Sequence, residues 1–261
     1  VHMSKIDLKN ISHSYNPNDP NPTYALNPFS MTWENGKRYA ILGPSGCGKT
    51  TMLNIVSGLV RPSAGNILFD DKDVTNLKTE SRNIAQVFQF PVIYNTMTVY
   101  ENLAFPLKCR DFLKDKIEER VNSVADTLNL KSFLNSPARK LTADQKQLIS
   151  LGRGLVREDV AAVLMDEPLT VIDPDLKFRL RRKLKEINEE FKTTLVYVTH
   201  DQNEAMTFAD NIIVMSEGEV VQAGTPKELF ERPNTTFVGY FIGSPAMNLF
   251  ESEVSSNDGV K

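Results

Sequence analysis

Cysteine is scarce: the 261 residues hold two, Cys47 and Cys109, too few for a disulfide framework. No apolar run approaches the roughly 18 residues of a spanning helix, so any work at a membrane needs spans supplied by another chain. No signal peptide opens the sequence, and neither an internal repeat nor a low-complexity block is found. Basic residues are not in excess; with a net charge of −3 nothing points to a polybasic membrane anchor or to nucleic acid as a partner. With 41% hydrophobic and 24% charged residues, the chain suits one large α/β domain or two small ones in a reducing, cytosolic compartment. Val1-His2-Met3 reads as a vector remnant ahead of a start at Met3.

Short apolar runs alternate with helical patterns. Residues 37–42 read as a strand, followed by a glycine-rich turn and a helix over Lys49 to Ser57 with Gly58 as its C-cap. Residues 161–166 and 194–199 are two more strands of the buried type. Between them, Asp173-Pro174 supplies an N-cap and a first-turn proline for a charged helix running to about Lys192. Strand, helix, strand at this spacing predicts a βαβ unit and a parallel sheet. Residues 212–223, turning at Glu217-Gly218, predict a β-hairpin. From Pro91 to Val156 the pattern is mostly helical, over Asp115 to Leu130 and Gln145 to Val156, as in a helical subdomain inserted into an α/β core. Residues 16–22, rich in Asn and Pro, predict an irregular loop.

Gly43-Pro44-Ser45-Gly46-Cys47-Gly48-Lys49-Thr50 fits G-x-x-x-x-G-K-[ST], with a strand before it and a helix after. Glycines let successive amides curl around phosphate oxygens, and the helix N-terminus favours the same anion. Lys49 is placed to reach the β- and γ-phosphates, and the Thr50 hydroxyl to ligate Mg²⁺. The strand Val163-Leu164-Met165 ends in Asp166 and Glu167. Solvated strand-end acids are common, but beside a phosphate loop Asp166 is suited to hold Mg²⁺ through water and Glu167 to polarise the attacking water.

Further residues complete a series along the chain: Tyr15 in Asn10-Ile11-Ser12-His13-Ser14-Tyr15, the loop and helix GPSGCGKTTMLNIVSGL, Gln89 in Val87-Phe88-Gln89, the acidic strand end, Ile172-Asp173 in TVIDPDL, and Thr199-His200-Asp201-Gln202 with Glu204-Ala205. Taken singly, Tyr15 is a packed strand-end tyrosine and His200 a strand-end histidine; order and spacing together carry more. This series resembles the ATP-binding subunit of an ABC transporter over nearly the whole chain. The resemblance implies an α/β fold, a P-loop NTPase core of the ABC ATPase type with an inserted helical subdomain and an N-terminal antiparallel β portion. It implies a single domain over 3–261: core 3–90 and 157–245, helical subdomain 91–156, and a tail 246–261. ATP and Mg²⁺ are the implied cofactors. Tyr15 would stack on adenine, and Gly43 to Thr51 (Thr51 included) would hold the phosphates. Thr50, Gln89 and Asp166 would hold the metal, Glu167 and His200 would be catalytic, and Asp173 would belong to the D-loop.

The passage GTPKELFERPNTTFVGYFIGSPAMNLF is similar to that of sugar-type importer ATPases, where it leads into an appended β-barrel regulatory domain. That domain is not among these residues, and Lys261 is expected to be an artificial end. VFQFPVIYNTMTVYENLAFPL and LTADQKQLISLGRGLVR look most like one of the two different ATPases of bacterial glycerol importers. The implied function is hydrolysis of ATP to power import of a sugar, polyol or glycerol-class solute. Implied partners are membrane permease subunits and a periplasmic or lipoprotein solute-binding protein, with the chain peripheral at the cytoplasmic face of the inner (plasma) membrane. The alternative is a soluble, non-transport ABC ATPase acting as a nucleotide switch.

One segment departs from the pattern. The family signature LSGGQ is here Leu141-Thr142-Ala143-Asp144-Gln145. In the family's dimer this segment faces the γ-phosphate held by the other subunit, where a carboxylate is repelled. Like unit charges about 4 Å apart cost about 4 kcal/mol at an effective dielectric near 20. A second, different ATPase subunit is therefore expected in preference to a homodimer. The alternative is that Asp144 caps its helix and points elsewhere.

Overall fold

A computed structural model describes residues 4–243 and 245–252. Val1-His2-Met3 and 253–261 of the expected tail lie outside the described residues. The chain opens with β1 (Ile6–Ser14) and β2 (Tyr24–Trp33), an antiparallel pair connected across the Asn/Pro-rich stretch, which forms only turns and bends. β3 (Arg38–Leu42) leads through the glycine-rich turn into α1 (Lys49–Ser57), and Gly58 ends it at φ 85. β4 (Ala64–Phe69), the short β5 (Lys72–Asp73) and β6 (Ile84–Val87) follow. Three helices come next: α2 (Val99–Lys108), α3 (Lys114–Thr127) and α4 (Ala143–Leu155). β7 (Ala162–Asp166), α5 (Pro174–Phe191) and β8 (Leu195–Thr199) form the expected βαβ unit. The chain then runs through α6 (Gln202–Phe208), the hairpin β9 (Asn211–Ser216) and β10 (Glu219–Gly224), α7 (Pro226–Glu231) and α8 (Thr236–Ile242).

Two sheets result. The first, in the order β2-β1-β4-β5, is antiparallel; the second, β10-β9-β3-β8-β7-β6, is parallel except at β10. β7 and β8 are buried at every position, as parallel strands covered on both faces must be. Alternate side chains of the second sheet enter two different cores. Ile41, Leu164, Val196 and Val198 pack with Trp33, Met52 and Ile67, binding α1 and the antiparallel sheet to one face. Ala40, Val163, Met165 and Tyr197 pack with Leu103, Val121, Leu148 and Leu184, binding α2 to α5 to the other.

Helix ends differ from expectation where capping chemistry decides them. α4 starts at Ala143, two residues before Gln145, because the Thr142 side chain accepts from the Gln145 amide while the Gln145 side chain accepts from that of Thr142. The cap is thus Thr142, which corrects the alternative that Asp144 caps this helix; Asp144 sits within the first turn. α3 stops at Thr127, with Leu128 as its C-cap and Asn129 turning left-handed at φ 55 after that.

Candidate functional site

The phosphate loop crosses from β3 to α1 wedged between two strands. Gly46 and Gly48 lie in the left-handed region, at φ 77 and φ 105, which an ordinary residue enters only with strain. A Cβ on Gly43 would strike the Met215 carbonyl of β9, and one on Gly48 the Ala25 carbonyl of β2. The hairpin tip, left-handed at both Glu217 and Gly218, buttresses the loop: Gly218 N donates to Cys47 O at 3.1 Å. Pro44, Ser45 and Gly46 face outward while Cys47 is buried, and that burial pushes its thiol up in pKa. Lys49 lies back across the loop, its Nζ donating to Gly43 O at 2.7 Å and Pro44 O at 2.8 Å. Its ammonium is thus held against the loop's own carbonyls.

Beside the loop, at the C-terminal ends of the parallel strands, the acidic residues gather. Thr50 Oγ1 donates to Asp166 Oδ2 at 2.9 Å. Asp166 is buried, and loss of solvent pushes its carboxyl above the usual range although the Thr50 hydrogen bond pulls the other way. A hydroxyl and a desolvated carboxylate are the hard oxygen donors that Mg²⁺ takes when phosphates complete its shell, so this pair fits the implied metal. Among the described residues no group of three or more His, Cys, Asp or Glu gathers for an all-protein metal cage.

Glu167 follows at φ 44, a strained angle for a side chain with a Cβ. Its Oε1 lies 3.2 Å from His200 Nδ1. Its Oε2 accepts from Gln89 Nε2 and from Thr170 Oγ1, each at 3.5 Å. Gln89 follows β6, Glu167 follows β7 and His200 follows β8, so three adjacent strand ends deliver three polar side chains to one point. The Gln89 amide nitrogen, not its oxygen, faces this cluster; metal ligation would require the amide to turn.

Tyr15 stands at the start of α1, its hydroxyl hydrogen bonded to Thr51 Oγ1 at 3.1 Å and its ring packed edge-on against His13. The ring is largely exposed, as a stacking surface must be. Two expected site segments are not brought into this cluster. Asp173 caps α5, accepting from the Asp175 and Leu176 amides at 3.0 and 3.4 Å. Residues 141–145 begin α4, and among the described residues no hydrogen bond joins them to the phosphate loop. There the Thr142 hydroxyl is spent within its own turn, donating to Asp144 Oδ1 and accepting from Gln145 N.

Two further residues stand behind the cluster: Gln147, to which the sequence reading gave no role, and Glu204, which it named beside the His200 segment without assigning a contact. Gln147, fully buried on α4, bonds the main chain next to both Gln89 and Glu167. Glu204, on α6, accepts from Tyr197 and Thr199 of β8 at 3.1 and 2.8 Å and from Arg181 of α5 at 3.3 Å. It pins the segment carrying His200, and its neighbourhood with burial pushes the Tyr197 hydroxyl well up in pKa. For Gln147 the one sequence signal was a polar side chain at a core-facing helical position; for Glu204 it was its place beside the His200 segment.

Comparison with known proteins identifies the family and the fold. Residues 26–170 match the family model described as ABC transporter. The sn-glycerol-3-phosphate import ATP-binding protein UgpC 3 of Agrobacterium fabrum is 42% identical over 256 residues, covering 98% of this chain and 71% of that protein. UgpC of Brucella abortus (strain 2308) is 43% identical over 254 residues, 97% of this chain and 71% of its own length. Among solved structures, a dimeric ATP-binding cassette in a post-hydrolysis state bound to ADP and Pi matches with a TM-score of 0.75 and 29% identity, over 84% of this chain and 98% of that one. cbiO1 of Clostridium perfringens, part of the cbiONQ transporter complex, matches with a TM-score of 0.77 and 28% identity, over 88% and 92%.

Proposed function

The chain belongs to the ABC transporter family and is an ATPase, and from that premise we propose that it powers import of a sugar, polyol or glycerol-class solute through a separate membrane permease. The observation that carries the proposal is the meeting of Gln89, Glu167 and His200 beside the Thr50–Asp166 pair and the phosphate loop. Amides of Gly43 to Thr51 cradle the phosphates, Lys49 reaches the β- and γ-oxygens, and Tyr15 stacks on the base. Glu167 polarises the attacking water, and His200, oriented by Glu167, contacts the γ-phosphate. Thr50, Gln89 and Asp166 would hold Mg²⁺, which would neutralise charge developing on the transferred phosphoryl oxygens.

The import names of the relatives support the solute class and a solute-binding partner, periplasmic or lipoprotein. Among the described residues no helix is long and apolar enough to cross a membrane, which accords with a peripheral subunit at the cytoplasmic face of the inner membrane. Exposed Val92 lines a groove of about 280 Å³ with Ile84, Phe88, Pro106 and Arg157, and Phe90 and Tyr94 of the same segment are also exposed; here the permease would dock. The same proposal divides the chain into a core of 3–90 and 157–245 and a helical subdomain of 91–156.

A second, different ATPase subunit is the finer part of the proposal. It rests on Thr142 and Asp144, not on the relatives. The Thr142 hydroxyl proton is taken by Asp144, and that carboxylate stands at the helix terminus an opposing γ-phosphate would meet. A partner with an uncharged signature avoids this juxtaposition at one of the two sites.

Calorimetry tests the nucleotide site. The chain should bind Mg·ATP, and Lys49→Ala should abolish binding; undiminished affinity in that variant would overturn the site assignment.

A further inference from the structure

Gln147 occupies a position that favours an apolar residue. It is fully buried on α4, one turn beyond Thr142, and burying an amide is costly unless it is paired. Its Nε2 donates to Phe88 O at 3.2 Å and to Pro168 O at 2.9 Å. Both partners are main-chain carbonyls, so the nitrogen must face them and both its protons are used. Oε1 is left buried without a partner, a loss that a methionine of similar shape would not incur. The amide therefore costs packing energy, and what it gains is two specific attachments.

Those attachments are to the neighbours of the two groups that meet at the hydrolysis site. Phe88 precedes Gln89, and Pro168 follows Glu167. The stripe of α4 bearing Gln147 continues at Ser150 and Arg153, at the three-residue spacing of one helix face. Ser150 Oγ accepts from Val92 N at 3.2 Å. Arg153 donates to Val92 O at 2.6 Å, and its guanidinium lies 4.7 Å over the Tyr94 ring. The segment from Phe88 to Tyr94 thus leaves β6 and rides on α4, and Gln147 is the joint where it departs.

We propose that Gln147 is a positioning residue that ties α4, the helix opening at the signature segment, to both Gln89 and Glu167. A shift of α4 against the parallel sheet then reaches both groups together. The proposal rests on the ATPase assignment above and names how the signature segment and the permease-facing segment act on that site.

The test uses the assembled transporter with Gln147→Met and Gln147→Glu. Gln147→Met should bind ATP as the parent does and unfold at the same temperature or higher. Its kcat should fall about tenfold or more, with KM for ATP unchanged and stimulation by solute lost. Gln147→Glu keeps the shape but, when ionised, has no donor; protonation restores one. Its kcat relative to the parent should therefore recover as pH is lowered. Parent-like kcat in both variants would overturn the proposal, as would a loss that only follows reduced stability or ATP affinity. Failure of the parent chain to bind ATP would instead overturn the ATPase assignment on which it stands.

Discussion

Glu167 shows what a single residue is made to do in this site. A left-handed backbone angle aims its carboxylate between Gln89 and His200, a conformation that costs on the order of 1–3 kcal/mol unless its surroundings enforce it. Asp144 carries a different message. In an assembly already silenced by Glu167→Gln in this chain, adding Asp144→Gly frees the Thr142 hydroxyl and removes a like charge. Residual ATPase activity should rise at least severalfold, measured as phosphate release; an unchanged residual rate would refute the unlike-subunit pairing. Lys49 and Thr50 were legible in sequence because a phosphate loop is a local motif of contiguous residues, and Asp166 because an acidic strand end is one too, although the 116 positions between Thr50 and Asp166 left their contact to the fold. Gln147 was not, since its partner Phe88 is 59 positions away, and neither were the contacts of Glu204, whose partner Arg181 is 23 positions away. Only the fold brings such pairs together.

Among the elements, α1 shows how the site is held from behind. Its C-terminal carbonyls are satisfied by Arg82, whose guanidinium donates to Ile55 O and Val56 O at 2.7 and 3.0 Å, and also to Thr75 O and Leu77 O. The cation favours the negative end of the helix dipole and locks the helix that presents the phosphate loop. Arg82→Met should destabilise the chain by about 2–4 kcal/mol, read by denaturant unfolding, because buried carbonyls lose their donor. Stability within 0.5 kcal/mol of the parent, roughly the effect of an ordinary surface change, would contradict that role. The limits of α1 and α5 were readable because Gly58, Asp173 and Pro174 are punctuation the backbone itself demands. The individual limits of β1 were not: register shifts near Asn10, left-handed at φ 49, break the alternation that marks a strand. α2 was obscured by Pro106, tolerated near its end, and its start depends on Thr98 and Glu101 capping each other.

At the scale of the whole molecule, one parallel sheet divides two cores, and the proposed hydrolysis site lies along the edge where three of its strands end. The antiparallel sheet and α1 hold the nucleotide side; α2 to α4 cover the other face and carry both the segment after Gln89 and the signature segment. Motion between these bodies can reach the acidic strand end through few contacts, and a permease docked on the helical side is placed to drive it. The parallel βαβ unit and the hairpin followed from hydrophobic pattern, whereas the helical packing did not, because it is set by contacts between distant elements. The central claim is that Glu167 makes this chain the motor of import. In vesicles containing the permease and solute-binding subunits, Glu167→Gln should bind ATP with the parent's affinity while hydrolysis falls about 10²- to 10⁴-fold and solute uptake stops. Uptake and ATP turnover at the parent's rates in that variant would contradict it.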